Sequence, residues 1–248
     1  MLKKVLGFGV VAAVVAGLSV ASWSQSPPAA TPLAAGAGAK SFTFNNNDAL
    51  TGWRIVGDAA VDLTKPREAK GGSLKVPPGA KATIKLGAAD GGGKVEMWIY
   101  DDGTTPADPK AGHTGPRWGI VQSDGTALAV GILYASYLAG DEGYTASATD
   151  GAAWFEKLFW LAVERKPTGW HQWTFDFDAD KRLLKILRDG KDVPTDESHW
   201  KPAESGITGF NAITIWGDGA DKGQTLWVAD VTYTPAAGGK ATATKPAN

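Results

Sequence analysis

Between residues 40 and 235, apolar side chains recur at every second position far more often than at the helical period. In Lys94-Val-Glu-Met-Trp-Ile-Tyr100 the odd positions are Val, Met and Ile and the even ones Glu, Trp and Tyr. Such a segment predicts a strand with one wholly apolar face and one aromatic, acidic face. Ser41-Phe-Thr-Phe-Asn45, Ala82-Thr-Ile-Lys-Leu86 and His171-Gln-Trp-Thr-Phe-Asp-Phe-Asp178 alternate in the same way, and stretches 127–134, 183–188, 212–216 and 226–233 also read as strands. Asp-Gly pairs beginning at 102, 124, 150, 189 and 218 fall between them, and this dipeptide suits tight hairpins because both residues tolerate positive φ. One segment resists the pattern. Trp154-Phe-Glu-Lys-Leu-Phe-Trp-Leu161 places apolar residues at 154, 155, 158 and 159, which fits one face of a short helix as well as a strand. No internal repeat of fixed period occurs, which argues against a propeller or solenoid. The expectation is an all-β, two-sheet antiparallel jelly-roll sandwich, with one short helix as the open alternative at 154–161.

Three stretches carry more than generic strand character. They are Gly169-Trp-His-Gln-Trp-Thr-Phe-Asp-Phe-Asp178 with Leu184-Lys-Ile-Leu-Arg-Asp-Gly-Lys-Asp-Val193, the opening 42–53 with Gly72-Ser-Leu-Lys-Val76, and the closing Thr225-Leu-Trp-Val-Ala-Asp-Val231. Together they resemble the concanavalin A-like lectin/glucanase superfamily, particularly its laminin-G-like branch, and similar openings and endings occur in carbohydrate-binding jelly rolls. The resemblance implies two curved antiparallel sheets, with sugar bound on a concave face or by loops at its rim. The closely spaced acidic strand motif of the glucanases is absent, as are the arginine, glutamine-histidine and tyrosine-lysine motifs of alginate lyases. Fold does not give activity.

The polar face of 94–100 supplies the candidate site. Trp and Tyr rings pack on the C–H faces of sugars, and a neighbouring carboxylate accepts hydrogen bonds from paired hydroxyls. Glu96, Trp98 and Tyr100 are therefore candidate ligand-binding residues. Arg117 and Trp118 begin the strand that leads to the Asp124-Gly125 turn, Tyr134 follows in a Gly-rich stretch with Tyr137 and Tyr144, and Trp160 and Glu164 repeat the combination. The expected ligand is a neutral polysaccharide. Trp53, Trp170, Trp173, Trp216 and Trp227 read instead as packing between sheets. If the protein were an enzyme, glycoside chemistry would need two carboxylates across a cleft, and Glu96, Glu164, Asp101 and Asp102 are the residues to test. His113, His171 and His199 have no zinc spacing. No cofactor is implied beyond a structural Ca²⁺, held by Asp218 and Asp221 beside Gly219 and Gly223 or by Asp230 with Asp48.

Composition narrows the classes further. With 25 Lys and Arg against 26 Asp and Glu, the chain lacks the basic excess that nucleic-acid binding requires. Cysteine is absent, which excludes disulfides and thiolate chemistry. There is no Gly-x-Ser-x-Gly elbow, phosphate loop or dinucleotide fingerprint. Lys3 and Lys4 precede an apolar run to Val20 and the small residues Ala21 and Ser22, the order of an export signal cleaved after Ala21. Because the uncharged run continues through Trp23, an uncleaved membrane anchor is the alternative. The expected organisation is a signal peptide at 1–21, a Ser/Pro/Ala/Gly linker at 22–39, the sandwich at 40–235 and a flexible tail at 236–248, in a secreted or periplasmic, cell-envelope setting. Three functions remain open: a carbohydrate-binding domain, an envelope scaffold or protein-interaction sandwich, and a glycoside hydrolase or polysaccharide lyase.

Overall fold

The computed structural model describes residues 38–87, 89–104, 114–133, 143–149, 157–165, 168–193, 207–219 and 223–236. The export signal, the linker to residue 37 and the tail from 237 lie outside them.

Two antiparallel sheets form the domain. Sheet A runs β13 (Lys191–Asp192), β12 (Leu183–Arg188), β11 (Gly169–Asp178), β6 (Gly93–Asp101), β15 (Leu226–Pro235), β4 (Ser73–Val76) and β3 (Ala60–Asp62), with β1 (Lys40–Phe42) paired to β15. Sheet B runs β10 (Lys157–Glu164), β9 (Gly143–Thr149), β8 (Ala127–Leu133), β7 (Thr114–Val121), β14 (Ala212–Trp216), β5 (Lys81–Lys85) and β2 (Trp53–Val56). Among the described residues the sole helical element is a 3-10 turn at Asn47–Leu50, where the Ala49 amide donates to the Asn46 side chain. The all-β sandwich is therefore the observed architecture, and the ambiguous segment enters β10 as a strand. Its apolar doublets suit an edge strand as well as a helix, and pairing with β9 decides between them.

The core is built by the predicted alternation. Val95, Met97 and Ile99 of β6, Trp173, Phe175 and Phe177 of β11, and Trp118, Ile120, Val130, Ile132, Ile213 and Ile215 of sheet B are all buried between the sheets. Each such side chain contributes about 1.5–3 kcal/mol by leaving water. β11 and β12 pair as an antiparallel hairpin, with Trp173 opposite Arg188 through Asp178 opposite Leu183. Beyond β12, Asp189 (φ 52) and Gly190 (φ 75) make the left-handed pair of a tight turn into β13.

Two segments differ from expectation. Tyr144, placed in a Gly-rich connection, lies in β9 and is buried. Trp118, expected beside a sugar, is fully buried and packs edge-on against Trp173 (5.4 Å) and Tyr144 (6.1 Å). The reason is parity: Arg117 points away from the core, so its neighbour points into it.

Candidate functional site

The expected sugar face lies on the outside of sheet A. Glu96, Trp98 and Tyr100 are half-buried there, opposite the buried Val95, Met97 and Ile99. Register extends the face across three strands, because Tyr100 pairs with Trp170 of β11 and with Trp227 of β15. The three rings meet edge to face at 5.3 and 5.9 Å. Trp170 and Trp227, read from sequence as packing, thus join Tyr100 in a half-exposed ladder.

This ladder is already occupied by the protein's own cations. The segment after β3 lays Lys65 Nζ 3.6 Å from the centre of the Tyr100 ring and 5.3 Å from Trp227, and the Arg67 guanidinium 4.6 Å from Trp98. Arg67 is fixed in turn by Asp230, whose Oδ2 accepts from Nε at 2.6 Å. Asp230 stands at φ 45, where the β15–β6 register shifts between Ala229 and Thr232; this bulge turns its carboxylate toward Arg67. Asp62 accepts from the Trp227 indole at 3.0 Å, and Glu96 is paired with Lys94 at 3.1 Å. The ring faces and charges of this side are largely used up internally.

The outer face of sheet B is arranged differently. Register places Val56, Lys81, Trp216, Arg117, Gly131, Thr145 and Trp160 in one row across all seven strands. Trp160 and Glu164 enter through backbone register alone, Glu164 opposite Gly143 on the edge strand. The Arg117 stem lies over Gly131, where an added Cβ would come within 2.7 Å of it. Thr83 and Thr214, one row further, share a hydroxyl hydrogen bond of 3.0 Å. Although these positions face away from the core, Arg117 is 9% exposed, Thr145 1% and Thr214 1%, so the face is recessed. Trp216 is half-buried, with Lys81 Nζ 5.6 Å from its ring centre. Burial draws the Arg117 guanidinium down to about 10, partly opposed by the Asp218 charge.

The remaining expected residues are dispersed. Asp101 continues the core-facing parity of β6 and is buried at its end, where Arg165 donates from Nε to Oδ2 (2.7 Å) and from Nη2 to Oδ1 (2.8 Å). Gln224 Nε2, the Tyr144 hydroxyl and the Gly103 amide also donate to it. Burial works to raise the Asp101 pKa, but the hydrogen bonds and charge of Arg165, helped by Gln224 and Gly103, hold it below the ordinary carboxylate range. Asp102 caps a turn by accepting from the Thr104 amide and hydroxyl. Glu96 and Glu164 belong to different sheets. For the metal reading, Asp218 is buried and accepts from the Gln224 amide, Asp230 holds Arg67, and Asp221 lies outside the described residues. Among the described residues no group of His, Cys, Asp or Glu is arranged to hold a metal ion. Tyr134, Tyr137, His113 and His199 also lie outside them.

No protein-family model matches the chain, and no curated protein does. Solved structures share its fold. "Cellulose induced protein, Cip1" superposes with a TM-score of 0.52 at 14% identity, over 75% of this chain and 93% of that one. "Crh5 transglycosylase in complex with NAG" gives 0.51 at 15%, over 80% and 84%, and "Apo Crh5 transglycosylase" 0.51 at 17%, over 80% and 85%. At these identities the likeness is one of fold. That fold is an all-β jelly-roll sandwich of two antiparallel sheets.

Proposed function

We propose that this chain is an exported, non-catalytic carbohydrate-binding domain that holds a polysaccharide against the outer face of sheet B. The observation that carries this reading is the row Lys81, Trp216, Arg117, a ring between two cations on a recessed sheet surface floored by Gly131, Thr145 and Thr214. A half-exposed indole offers a stacking plane, and threonine hydroxyls offer hydrogen bonds that sugar hydroxyls need. The transglycosylase structure in complex with NAG lends support at the level of fold. Binding is favoured over hydrolysis because three of the four candidate acids are committed elsewhere: Asp101 to Arg165, Glu96 to Lys94 and Asp102 to its turn. Sheet A is the less suitable side, since Lys65 and Arg67 lie closer over its rings, 3.6 Å from Tyr100 and 4.6 Å from Trp98, than Lys81 does over Trp216 at 5.6 Å.

The test is a polysaccharide panel read by affinity electrophoresis, with the wild-type chain beside Trp216→Ala and Trp98→Ala. Retardation by at least one glycan should be lost in Trp216→Ala at an unchanged melting temperature and kept in Trp98→Ala. The opposite pattern would move the site to sheet A, and no retardation by any glycan would move weight to the scaffold reading.

A further inference from the structure

Between β3 and β4 the chain passes over the outer face of sheet A, and side chains are what hold it there. Both ends of the crossing are pinned. At the start, Asp62 Oδ1 accepts from the Thr64 amide (2.8 Å) and hydroxyl (2.6 Å), while its Oδ2 accepts from the Trp227 indole. At the end, Gly71 stands at φ 124, and a Cβ on Gly72 would meet the Phe44 carbonyl oxygen at 2.4 Å, so the chain turns tightly there against residues 44–45. In between, residues 66–71 make no backbone-to-backbone hydrogen bond among the described residues, and Pro66 has no amide to offer one. Lys65, Pro66 and Arg67 are half-buried, while Glu68, Ala69 and Lys70 are exposed. Beside Arg67, between Thr43, Asn45, Gly72 and Asp230, lies a mostly polar cavity of about 180 Å³, so the segment does not rest on an apolar core at that point.

We propose that residues 65–70 are an autoinhibitory lid over a cation-binding aromatic face, with Lys65 and Arg67 as its built-in occupants and the Arg67–Asp230 pair as its latch. A basic peptide presenting two such cations on an extended backbone binds when the lid lifts. This face lies opposite the proposed glycan site, and the inference stands independently of that reading. Tyr100 and Trp227 stand at 89° to each other, and Lys65 Nζ lies in the corner between them, nearest the face of Tyr100, which is the geometry of an ammonium receptor. Trp98, one outward step back along β6, gives Arg67 its own ring. Pro66 between the two cations favours extended backbone before it, in which positions 65 and 67 face the same way. Of the charges around the rings, Glu96 is matched by Lys94, and Lys75, opposite Trp227, acts on Asp62, which leaves Asp230 to the lid. Asp230 holds the left-handed backbone that glycine usually takes, a cost sustained where its carboxylate meets Arg67. Cation–ring contacts and ion pairs at a surface are individually weak, so a segment held by them opens without unfolding the sandwich beneath.

Two measurements on the native full chain test this. Tryptic cleavage after Arg67, followed by mass spectrometry, reports the open fraction of the lid, and in Asp230→Asn it should run about tenfold faster at an unchanged melting temperature, since Asn keeps the shape and tolerates the backbone but drops the charge. The second is calorimetric titration with the capped peptide Ala-Lys-Pro-Arg-Ala at millimolar concentration. The double variant Lys65→Gln, Arg67→Gln should bind it about tenfold more tightly than wild type, because a closed lid withholds the face from all but the open fraction. A peptide with Gln in place of both cations should bind neither protein, and adding Trp98→Ala to the double variant should weaken binding again. Cleavage no faster in Asp230→Asn would overturn the latch. Peptide binding no tighter in the double variant than in wild type would overturn the built-in occupancy, and tighter binding that ignores Trp98→Ala would place the peptide elsewhere and overturn the face. Retardation of the double variant by a glycan through Trp98, with no response to the peptide, would make the bared rings a sugar surface and overturn the cation assignment.

Discussion

At one end of the sandwich the space between the sheets is closed by rings, and at the other by charges. Phe177 packs edge-on against Phe210 at 6.1 Å and Phe210 against Tyr233 at 5.7 Å, beside the start of β6. At the far end of the same strand, roughly 27 Å along by the usual strand rise, Asp101 gathers Arg165, Gln224 and Tyr144 in one buried network. Tyr144 and Arg165 belong to or follow sheet B strands and Asp101 ends a sheet A strand, so the network joins the sheets as the rings do. The two ends are about equally buried but fail differently. Removing part of a ring leaves a cavity, whose cost scales with the volume lost. Removing one partner of the ion pair leaves the other charge buried and uncompensated.

The largest test of this contrast is Arg165→Met, which should cost about 3–5 kcal/mol because Asp101 stays buried without its main partner. Adding Asp101→Asn should recover much of that loss in urea denaturation, since an amide still accepts from Tyr144 and carries no charge. No second substitution would rescue a truncated Phe177 in this way, and a double variant as unstable as Arg165→Met would refute the contrast. Next in size is Tyr144→Phe, which removes a hydrogen bond to a carboxylate and should cost about 1.5–3 kcal/mol. Phe177→Leu at the other end should cost less, about 1–1.5 kcal/mol, being a partial truncation that neighbours can close over.

The smallest effect is the one with sign. Asp101 has a folded pKa below its unfolded value, so its contribution is present above about pH 4 and is lost as pH falls through the lower folded value. In Arg165→Met, burial is left to raise the same carboxyl, and the dependence reverses: the variant's deficit relative to wild type should narrow as pH drops from 6 to 3. A deficit that stays constant over that range would mean that Asp101 does not carry the charge term.

These ends were unequally legible. The ring end follows from alternation alone, since Phe175 and Phe177 share parity with Trp173 and are flanked by Thr174 and Asp176. The ionic end was also written in parity, because Asp101 continues the series Val95, Met97, Ile99; a carboxylate on a core-facing position signals a buried partner. Its partners stand 43, 64 and 123 residues away, and no local pattern names them. The outer faces were harder still. The expected site mixed Glu96, Trp98 and Tyr100 with Arg117 and Trp160 because chemistry groups them, whereas strand order sends the first three to sheet A and the others to sheet B. Trp216 reads from sequence as packing because Trp commonly fills the gap between packed sheets, and only the register of β14 with β5 and β7 shows it on the outer face in a row with Lys81 and Arg117.

The pairing of β1 with β15 has a consequence for display. Lys40 lies directly opposite Tyr233, so the chain enters and leaves the sandwich side by side in sheet A. Any flanking segment, at either end, departs from the sheet that lies behind the proposed binding face. Domains strung on flexible connectors through such neighbouring ends would each present sheet B to a polymer without threading the connector across it. For a shallow site of modest affinity, the second and third copies would then bind at an effective concentration set by connector length, and avidity would do what a single recessed row cannot.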